Sequence, residues 1–295
     1  MPGTELSSKV SIVMPTCNRA TYILETIESI RNQTYPNWEL IIMDDGSDDN
    51  TEELIYQLND KRILFYSTAR TGNISKLRKA GIDKTTGSFI AFIDSDDIWA
   101  ATKLKEQVAA LHANEGAGFC VTGGFNFIRA GEPVDYFYTR REGMKYGDLF
   151  TLFFRSELSG YLQALLFRRS CMDVAPFKET DSDIDFIVRL AHNFKGIILY
   201  TPLFFRRIHD KNYSHFNWEK NYHKYIRLIQ EYKKSMTPEL LKEASFSLYI
   251  NFGEDCLSNK APGKAIRNFF KAWANKPLSM IPAKKTAKAM LQYLR

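Results

Sequence analysis

Short apolar runs alternate with segments of helical periodicity through the first third of the chain. Each run has the length of a strand, and apolar residues in the intervening segments recur every three or four positions, as on one face of a helix. This β–α alternation predicts an α/β fold with a mainly parallel sheet and helices on both faces. The predicted strands are 10–14, 38–43, 63–66 and 89–93, and the predicted helices are 22–31, 51–58 and 75–83.

The pattern is less regular after residue 100, and it becomes purely helical near the C-terminus. We expect helices over 101–113 and 185–192, strands over 118–128 and 196–200, and a turn-rich excursion over 131–147. The segments 149–154 and 163–167 are apolar but fit neither pattern. From residue 213 onward, lysine-rich helical stretches are broken only by prolines. We therefore predict an α/β domain over 1–212 and a helical C-terminal region over 213–295.

Acidic clusters follow two of the predicted strands. The buried run 89–93 leads directly into Asp94-Ser95-Asp96-Asp97, and the run 38–43 leads into Asp44-Asp45. Ligands bind at the carboxyl ends of strands in open α/β sheets, so these acids are candidate site residues. Asp and Ser also favour turns and helix caps, which is the structural reading of any single cluster.

The spacing of these acids suggests a metal site that holds a phosphorylated ligand. Asp94 and Asp96 can share a divalent cation at the strand end, and their hard oxygen ligands favour Mg²⁺ or Mn²⁺. Such a cation can bridge a diphosphate and stabilise the charge of a leaving phosphate. Asp45 can hydrogen-bond a base or ribose. Asp183, on a separate segment, can serve as a general base.

Composition excludes some classes of protein and leaves others open. The 295 residues carry a net charge of +6 with a pI near 9.0, which permits an anionic partner without specifying one. The four cysteines form no CxxC pair, which fits a reducing cytoplasm. We expect no signal peptide and no membrane-spanning helix. Basic residues do not interleave with aromatics as in a nucleic-acid-binding module, so we expect no nucleic-acid partner.

Six segments follow one another along the chain, namely SIVMPTCNR, IIMDDGSDD, GNISKLRKAG (with Arg78), FIDSDD, SDIDFIVRLA (with Asp183) and FRRIHDKNYS (with Arg207, His209 and Ser214). In this order they resemble family 2 glycosyltransferases of GT-A fold, in particular bacterial enzymes that build capsule, O-antigen or exopolysaccharide. The chain departs from the family pattern twice, with Lys79 where Asn is usual and Ser182 where Glu is usual.

The resemblance implies a Rossmann-like GT-A fold and inverting transfer from a nucleotide-diphosphate sugar, usually a UDP-sugar, to a saccharide or lipid-linked acceptor. Inversion is a single displacement, so one base, Asp183, suffices. The expected metal ligands are Asp94, Asp96 and His209, for Mn²⁺ or Mg²⁺. The expected acceptor contacts are Trp99, Asp97 and Ser182. The expected nucleotide and donor contacts are Pro15, Thr16, Asn18, Arg19, Asp44, Asp45, Arg78, Asp94, Ser95 and Asp96.

Two alternatives remain open at this point. A nucleotidyltransferase would also use acids at strand ends, but its glycine-rich phosphate loop is missing from the turn PTCNRA after the first strand. A non-catalytic scaffold for polysaccharide assembly would have no use for the acids.

The basic and aromatic C-terminal segment is either a helix that packs on the protein or an interfacial helix on anionic membrane. We expect a cytoplasmic protein. If the C-terminal segment is an interfacial helix, the protein also contacts the inner face of the cell membrane.

Overall fold

Contacts along the chain divide the protein into two units. The structure is a computed structural model that describes residues 8–129, 132–137, 142–158, 160–209 and 218–293. Unit 1 comprises Met1–Leu149 and Gly160–His209, and unit 2 comprises Phe150–Ser159 and Asp210–Arg295. The predicted boundary at residue 212 lies outside the described residues. That prediction assigned Phe150–Ser159 to the first domain, whereas the contacts of this short segment place it in unit 2.

Unit 1 is built on a single mixed sheet. The described strands are β1 (Val10–Thr16), β2 (Trp38–Asp44), β3 (Ile63–Ser67), β4 (Phe89–Phe92), β5 (Ile98–Trp99), β6 (Ala117–Phe127), β7 (Pro133–Phe137), β8 (Met144–Gly147), β9 (Leu165–Arg168) and β10 (Lys195–Arg207). Their order across the sheet is β3-β2-β1-β4-β9-β6-β10-β5, with β7 beside β6 and β8 beside β10.

In unit 1 the helices alternate with the strands along the chain. In unit 2 the described regular elements are helices. Unit 1 contains α1 (Ile23–Arg31), α2 (Thr51–Gln57), α3 (Ile74–Ile82), α4 (Lys103–Ala113) and α6 (Asp183–Asn193). Unit 2 contains α5 (Phe150–Phe154), α7 (Trp218–Glu231), α8 (Pro238–Ser258), α9 (Pro262–Asn275) and α10 (Met280–Tyr293).

The first four strands confirm the predicted parallel α/β arrangement, while the rest of the sheet is mixed. Strands β3, β2, β1 and β4 are parallel neighbours, but β4 pairs antiparallel with β9, and β9 pairs antiparallel with β6. The turn-rich excursion predicted over 131–147 contains β7 and β8, which extend the sheet. Their short, exposed sequences have no buried face, so periodicity could not reveal them.

Burial explains why the central strands read as continuous apolar runs. Every residue of β1 and β2 is buried, because helices cover both faces of the sheet. Helix α1 places Ile23, Ile27 and Ile30 at 0% exposure in this core. Each such side chain contributes about 1.5–3 kcal/mol through burial.

Helix α3 lies unusually close to the sheet. A Cβ at Gly81 would come within 2.5 Å of a methyl carbon of Val13 in β1, so a larger residue would push the helix outward. The side chain of Asn73 accepts hydrogen bonds from the N–H groups of Ser75 and Lys76 and caps the start of the helix. These contacts fix the position of Arg78 in the middle of α3.

Unit 2 has its own small core. Helices α8 and α9 contribute Ile250, Cys256 and Phe269, and α10 adds Ala289. Pro238 and Pro262 stand in the first turns of α8 and α9, where a missing N–H costs nothing. Among the described residues, no helix is both long and apolar enough to cross a bilayer.

Lys103 is a fully buried lysine in the core of unit 1. Its ammonium lies 3.9 Å from the ring centre of Trp99 and donates to Gln107 Oε1 at 2.7 Å. No carboxylate pairs with it among the described ion pairs. Burial lowers the pKa of Lys103 to about 7. Between about pH 7 and the usual lysine value, the unfolded chain therefore binds a proton that the folded protein does not, and stability rises with pH over this window.

Lys103→Met should accordingly change the pH dependence of stability. We expect the free energy of unfolding of wild type, relative to the variant, to rise by roughly 1–2 kcal/mol between pH 7 and pH 9. Urea unfolding at both pH values measures this difference. Lys105→Met, on the exposed side of the same helix, is the matched control and should show no such rise. If the difference in unfolding free energy between wild type and Lys103→Met is the same at pH 7 and pH 9, Lys103 stays charged in the folded protein.

Candidate functional site

Arg78 joins two carboxylates from distant parts of the chain. Its Nη1 donates to Asp183 Oδ1 at 2.6 Å, and its Nη2 donates to Asp94 Oδ1 at 2.8 Å. Only 3% of the Arg78 side chain is exposed. Burial alone would lower the pKa of Arg78, but the charges of Asp183 and Asp94 outweigh it and raise that pKa. A permanent cation therefore links the end of β4 to the start of α6.

Asp94 uses both of its carboxylate oxygens in this arrangement. Arg78 binds Oδ1, and the amide nitrogen of Gln163 donates to Oδ2. Gln163 lies in a short 3₁₀ turn before β9, and its own carbonyl oxygen is buried without a partner among the described residues. The side chain of Asp94 is still 29% exposed, so it can contact a ligand.

Asp96 belongs to a different cluster. Its Oδ2 lies 3.0 Å from His209 Nε2 and 3.5 Å from Arg19 Nε. The ring of His209 stacks on Tyr22, with centroids 5.0 Å apart. Two potential metal ligands, a carboxylate oxygen and an imidazole nitrogen, thus converge next to an arginine.

Asp97 is turned into the protein. It accepts a hydrogen bond from the backbone N–H of Arg207 at 2.9 Å and is 2% exposed. Burial, with the charges of Asp96 and Asp94, raises the pKa of Asp97 well above its usual range. Arg207 also donates to the carbonyl of Asp96 at 2.9 Å. The two hydrogen bonds from Arg207, to Asp97 and to the backbone of Asp96, hold the turn that contains Asp96.

Asp45 organises the loop before α3. Its carboxylate accepts hydrogen bonds from the N–H and hydroxyl of Thr71 at 2.6 and 2.8 Å and from the N–H of Gly72 at 2.8 Å. Burial would raise the pKa of Asp45, but these hydrogen bonds hold it below its usual value. The carboxylate therefore stays charged and holds the loop against the end of β2.

Asp44 and Asn18 shape the neighbouring turns. Asp44 accepts from the N–H and hydroxyl of Ser47 at 2.9 and 2.5 Å. Asn18 has a positive φ of 52°, and its side chain exchanges hydrogen bonds with Asp48. Asn18 thus connects the loops after β1 and β2, and Asp44 shapes the loop after β2, so the described contacts of both residues are structural.

The three acids around the start of α6 have separate roles. Asp181 forms a two-pronged ion pair with Arg189, at 2.6 Å for each contact. Asp185 accepts from the N–H and hydroxyl of Ser182 at 2.9 and 2.7 Å, which caps the helix. Asp183 is the first residue of α6, and its Oδ2 has no hydrogen-bond partner among the described residues.

Tyr161 lies close enough to the candidate base to interact with its charge. A Cβ at Gly160 would come within 2.8 Å of an Ile184 side-chain carbon, so the chain passes closely against the start of α6. Burial and the nearby charges, including that of Asp183, shift the pKa of Tyr161 upward. The ring packs on Phe137, with centroids 4.7 Å apart.

The structure does not place every predicted site residue at an accessible surface. Trp99 is 2% exposed in the core of unit 1, so the prediction that it contacts an acceptor sugar does not fit this burial. The buried Asp97 and the helix-capping Ser182 are likewise engaged within the protein. Pro15, Thr16 and Ser95 are buried at or near strand ends, and Ser214 lies outside the described residues.

The predicted sharing of one cation by Asp94 and Asp96 also finds no support in these contacts. Asp94 is occupied by Arg78 and Gln163, whereas Asp96 faces His209. In the described part of the chain, no three His, Cys, Asp or Glu side chains come together as a ready-made metal site. The donors of Asp96 and His209 nevertheless suit Mn²⁺ or Mg²⁺ if a ligand supplies the remaining oxygens.

Sequence reasoning missed Gln163 and Tyr161, and it named Arg207 only through a motif. Tyr161 comes directly after Gly160 and Gln163 stands at the start of an apolar stretch, and neither belongs to an acid cluster or a family motif that would mark it. Their proximity to Asp94 and Asp183 arises from strand pairing between β9 and β4. Only long-range contacts could reveal it.

A model of the family described as "Glycosyl transferase family 2" matches residues 11–168, more than half of the 295 residues. The chain belongs to this family. The match spans β1 to β9 and includes Arg78 and the Asp94–Asp97 cluster. The predicted family and the predicted GT-A fold are therefore confirmed.

Two relatives within the family illustrate its range. A Bacillus subtilis protein named for teichuronic acid biosynthesis, TuaG, is 32% identical over 141 residues, which cover 47% of this chain and 56% of TuaG. The Escherichia coli UDP-Glc:alpha-D-GlcNAc-diphosphoundecaprenol beta-1,3-glucosyltransferase WfgD is 40% identical over 105 residues, covering 36% of this chain and 42% of WfgD. The chain thus matches about half the length of these curated relatives.

Solved structures support the fold over almost the whole chain. S. aureus TarS residues 1–349 in complex with UDP-GlcNAc aligns with a TM-score of 0.62 and 17% identity, covering 97% of this chain and 89% of that one. The mannosyltransferase PcManGT from Pyrobaculum calidifontis, in complex with GDP-Man and Mn²⁺, aligns with a TM-score of 0.65 and 16% identity, covering 98% and 81%. At these identities the likeness concerns the fold alone.

Proposed function

We propose that this protein is an inverting glycosyltransferase of cell-surface polysaccharide synthesis. It moves a sugar from a nucleotide-diphosphate donor, a UDP-sugar, to a hydroxyl of a saccharide or lipid-linked acceptor. The observation that carries this proposal is the buried Arg78, which holds a candidate donor contact, Asp94, and a candidate base, Asp183, in one site. Transfer with inversion needs these two functions side by side.

Asp183 is the proposed general base. Arg78 holds its Oδ1, and its Oδ2 remains able to take the proton of an attacking hydroxyl. The side chain is 29% exposed, so an acceptor can reach it. A single displacement at the anomeric carbon needs no protein nucleophile, and none of the four cysteines is placed at this site by the described contacts.

Asp96 and His209 are the proposed metal ligands. Their donor atoms lie 3.0 Å apart, close enough for both to bind one divalent cation, Mn²⁺ or Mg²⁺. A bound cation would neutralise charge on the diphosphate as it leaves. Arg19, beside Asp96, would bind the phosphates, while Asp94 and Asp45 would contact the hydroxyl-bearing parts of the donor.

The relatives guide the choice of substrates. The name of WfgD pairs a UDP-sugar with an acceptor on a diphosphoundecaprenol lipid, and TarS was solved with UDP-GlcNAc. We therefore propose a UDP-sugar donor and a lipid-linked or free saccharide acceptor. The family match also favours sugar transfer over the nucleotidyl transfer and the non-catalytic scaffold considered from sequence.

We also propose that unit 2 contacts the inner face of the cell membrane, where a lipid-linked acceptor would be found. Around the link between α9 and α10, the apolar side chains of Leu278, Met280 and Ile281 are 100%, 66% and 49% exposed. Exposed lysines, Lys284 and Lys288, follow in α10. Apolar side chains next to basic ones are typical of a surface that binds anionic lipid.

Replacement of the proposed base should separate catalysis from binding. Asp183→Asn keeps an oxygen that can accept from Arg78 but cannot take a proton. We expect the turnover of UDP-sugar to fall roughly 10²–10⁴-fold. Calorimetry should still detect Mn²⁺-dependent binding of UDP at nearly wild-type affinity.

Two further variants serve as controls for this experiment. Glu179→Gln removes an exposed carboxylate four residues before Asp183 and should leave turnover unchanged. His209→Ala should show the opposite behaviour to Asp183→Asn, since it should weaken the Mn²⁺-dependent binding of UDP. A near-wild-type rate for Asp183→Asn would refute the assignment of the base.

The membrane surface can be tested with vesicle flotation. The triple variant Leu278→Ser, Met280→Ser, Ile281→Ser should reduce flotation with phosphatidylglycerol vesicles at least about fivefold, because roughly 1 kcal/mol of apolar or electrostatic attraction corresponds to that factor. The double variant Tyr56→Ser, Ile74→Ser, which removes exposed apolar side chains from unit 1, is the control. Equal flotation of the triple variant and wild type would exclude this surface.

A further inference from the structure

Unit 2 contains a cavity that the proposed transfer reaction does not use. Its volume is about 220 Å³, and helices α5, α7 and α8 supply its walls. The lining combines aromatic rings with three polar side chains, namely Ser156, Asn251 and Asp255. The catalytic candidates Asp94, Asp96 and Asp183 all belong to unit 1, so this cavity is a separate feature.

The aromatic side chains of the cavity are arranged in parallel pairs. Tyr222 and Phe252 stack with centroids 3.7 Å apart and an interplanar angle of 12°. Phe153 and Tyr225 stack at 5.7 Å and 11°. These contacts hold the rings in fixed orientations, so the cavity has rigid, flat, apolar walls.

The polar side chains form a short row on one wall. Asn251 and Asp255 lie one turn apart on α8, and Asn251 Nδ2 donates to Ser156 Oγ at 3.0 Å. The carboxylate of Asp255 has no hydrogen bond or ion pair among the described contacts of the chain. Asp255, Asn251 and Ser156 are all exposed, so this row borders the mouth of the cavity, where a ligand that donates hydrogen bonds can reach it.

The combination of flat rings and hydrogen-bond acceptors limits the class of ligand. A lipid chain could cover the rings, but it would make no use of the carboxylate, the amide and the hydroxyl at the mouth. A simple cation could bind the oxygens of Asp255 and its neighbours, but it would leave the aromatic walls uncovered. A sugar ring presents apolar C–H faces to the aromatic walls and hydroxyl donors to the carboxylate and amide.

We propose that this cavity is a second saccharide site, which binds one sugar unit of the acceptor glycan. The volume suits a single pyranose ring rather than an oligosaccharide. The inference rests on the proposed function, because a polysaccharide-synthesising enzyme works on a glycan that carries several sugar units. Such a site would retain the acceptor between successive encounters with the donor.

Ligand-detected saturation-transfer NMR on the full chain tests this site. The probes are methyl β-D-glucopyranoside and methyl N-acetyl-β-D-glucosaminide at millimolar concentration. UDP and Mn²⁺ are present in excess to occupy the donor site of unit 1. We expect saturation of the sugar ring protons with wild type, and an affinity at least about tenfold lower with Asp255→Asn or Asn251→Ala, since each removes a strong hydrogen-bond partner.

Matched variants make the outcome decisive. Glu239→Gln, which removes an exposed carboxylate from the same helix α8, should bind the probes like wild type. Equal probe binding by Asp255→Asn and wild type would overturn the proposal, as would displacement of the probes by choline at equal concentration. Donor turnover measured in parallel separates the two ideas: turnover without probe binding refutes only the second site, and probe binding without turnover refutes only the transferase.

Discussion

The site depends on one buried cation. Arg78 is inside the protein, and removing either of its carboxylate partners would leave a buried charge incompletely compensated, which is strongly unfavourable. Its two partners, Asp94 just after β4 and Asp183 at the start of α6, lie far apart in the chain. The pairing therefore forces the end of the central sheet and the start of a late helix into fixed proximity. A candidate donor contact and a candidate base thus bind the two terminal nitrogens of the same guanidinium.

The backbone of the sheet already brings the site segments together. Parallel strands β1, β2 and β4 end at one edge, which brings the loops after them together. Close packing of α3 on β1 at Gly81 then points Arg78 at the end of β4. A second set of contacts, from Arg207 to Asp96 and Asp97, fixes the next turn of chain and presents Asp96 to His209. Acids with structural contacts and candidate site acids alternate within a few residues.

That alternation marks the limit of prediction from the sequence. The strands of the parallel half, the acid clusters at their ends and the family all follow from local patterns, because burial on both faces gives continuous apolar runs. The different positions of Asp94, Asp96 and Asp97 could not be predicted from local patterns. Neighbouring acids in a turn look equivalent until their partners are known. Trp99 shows the same limit, because an aromatic after a strand can face a ligand or the core. Gln163 reaches the site only through the pairing of β9 with β4.

The central claim is that one carboxylate, Asp183, acts opposite a metal-bound leaving diphosphate. The most direct measurement is the configuration of the sugar released when the enzyme hydrolyses UDP-α-D-glucose or UDP-α-D-GlcNAc, followed by proton NMR before mutarotation, with and without Mn²⁺. This assay needs no knowledge of the natural acceptor. A single displacement predicts that the β-anomer forms first and that its formation depends on the metal. Initial release of the α-anomer, or equal rates without a divalent cation, would contradict the account.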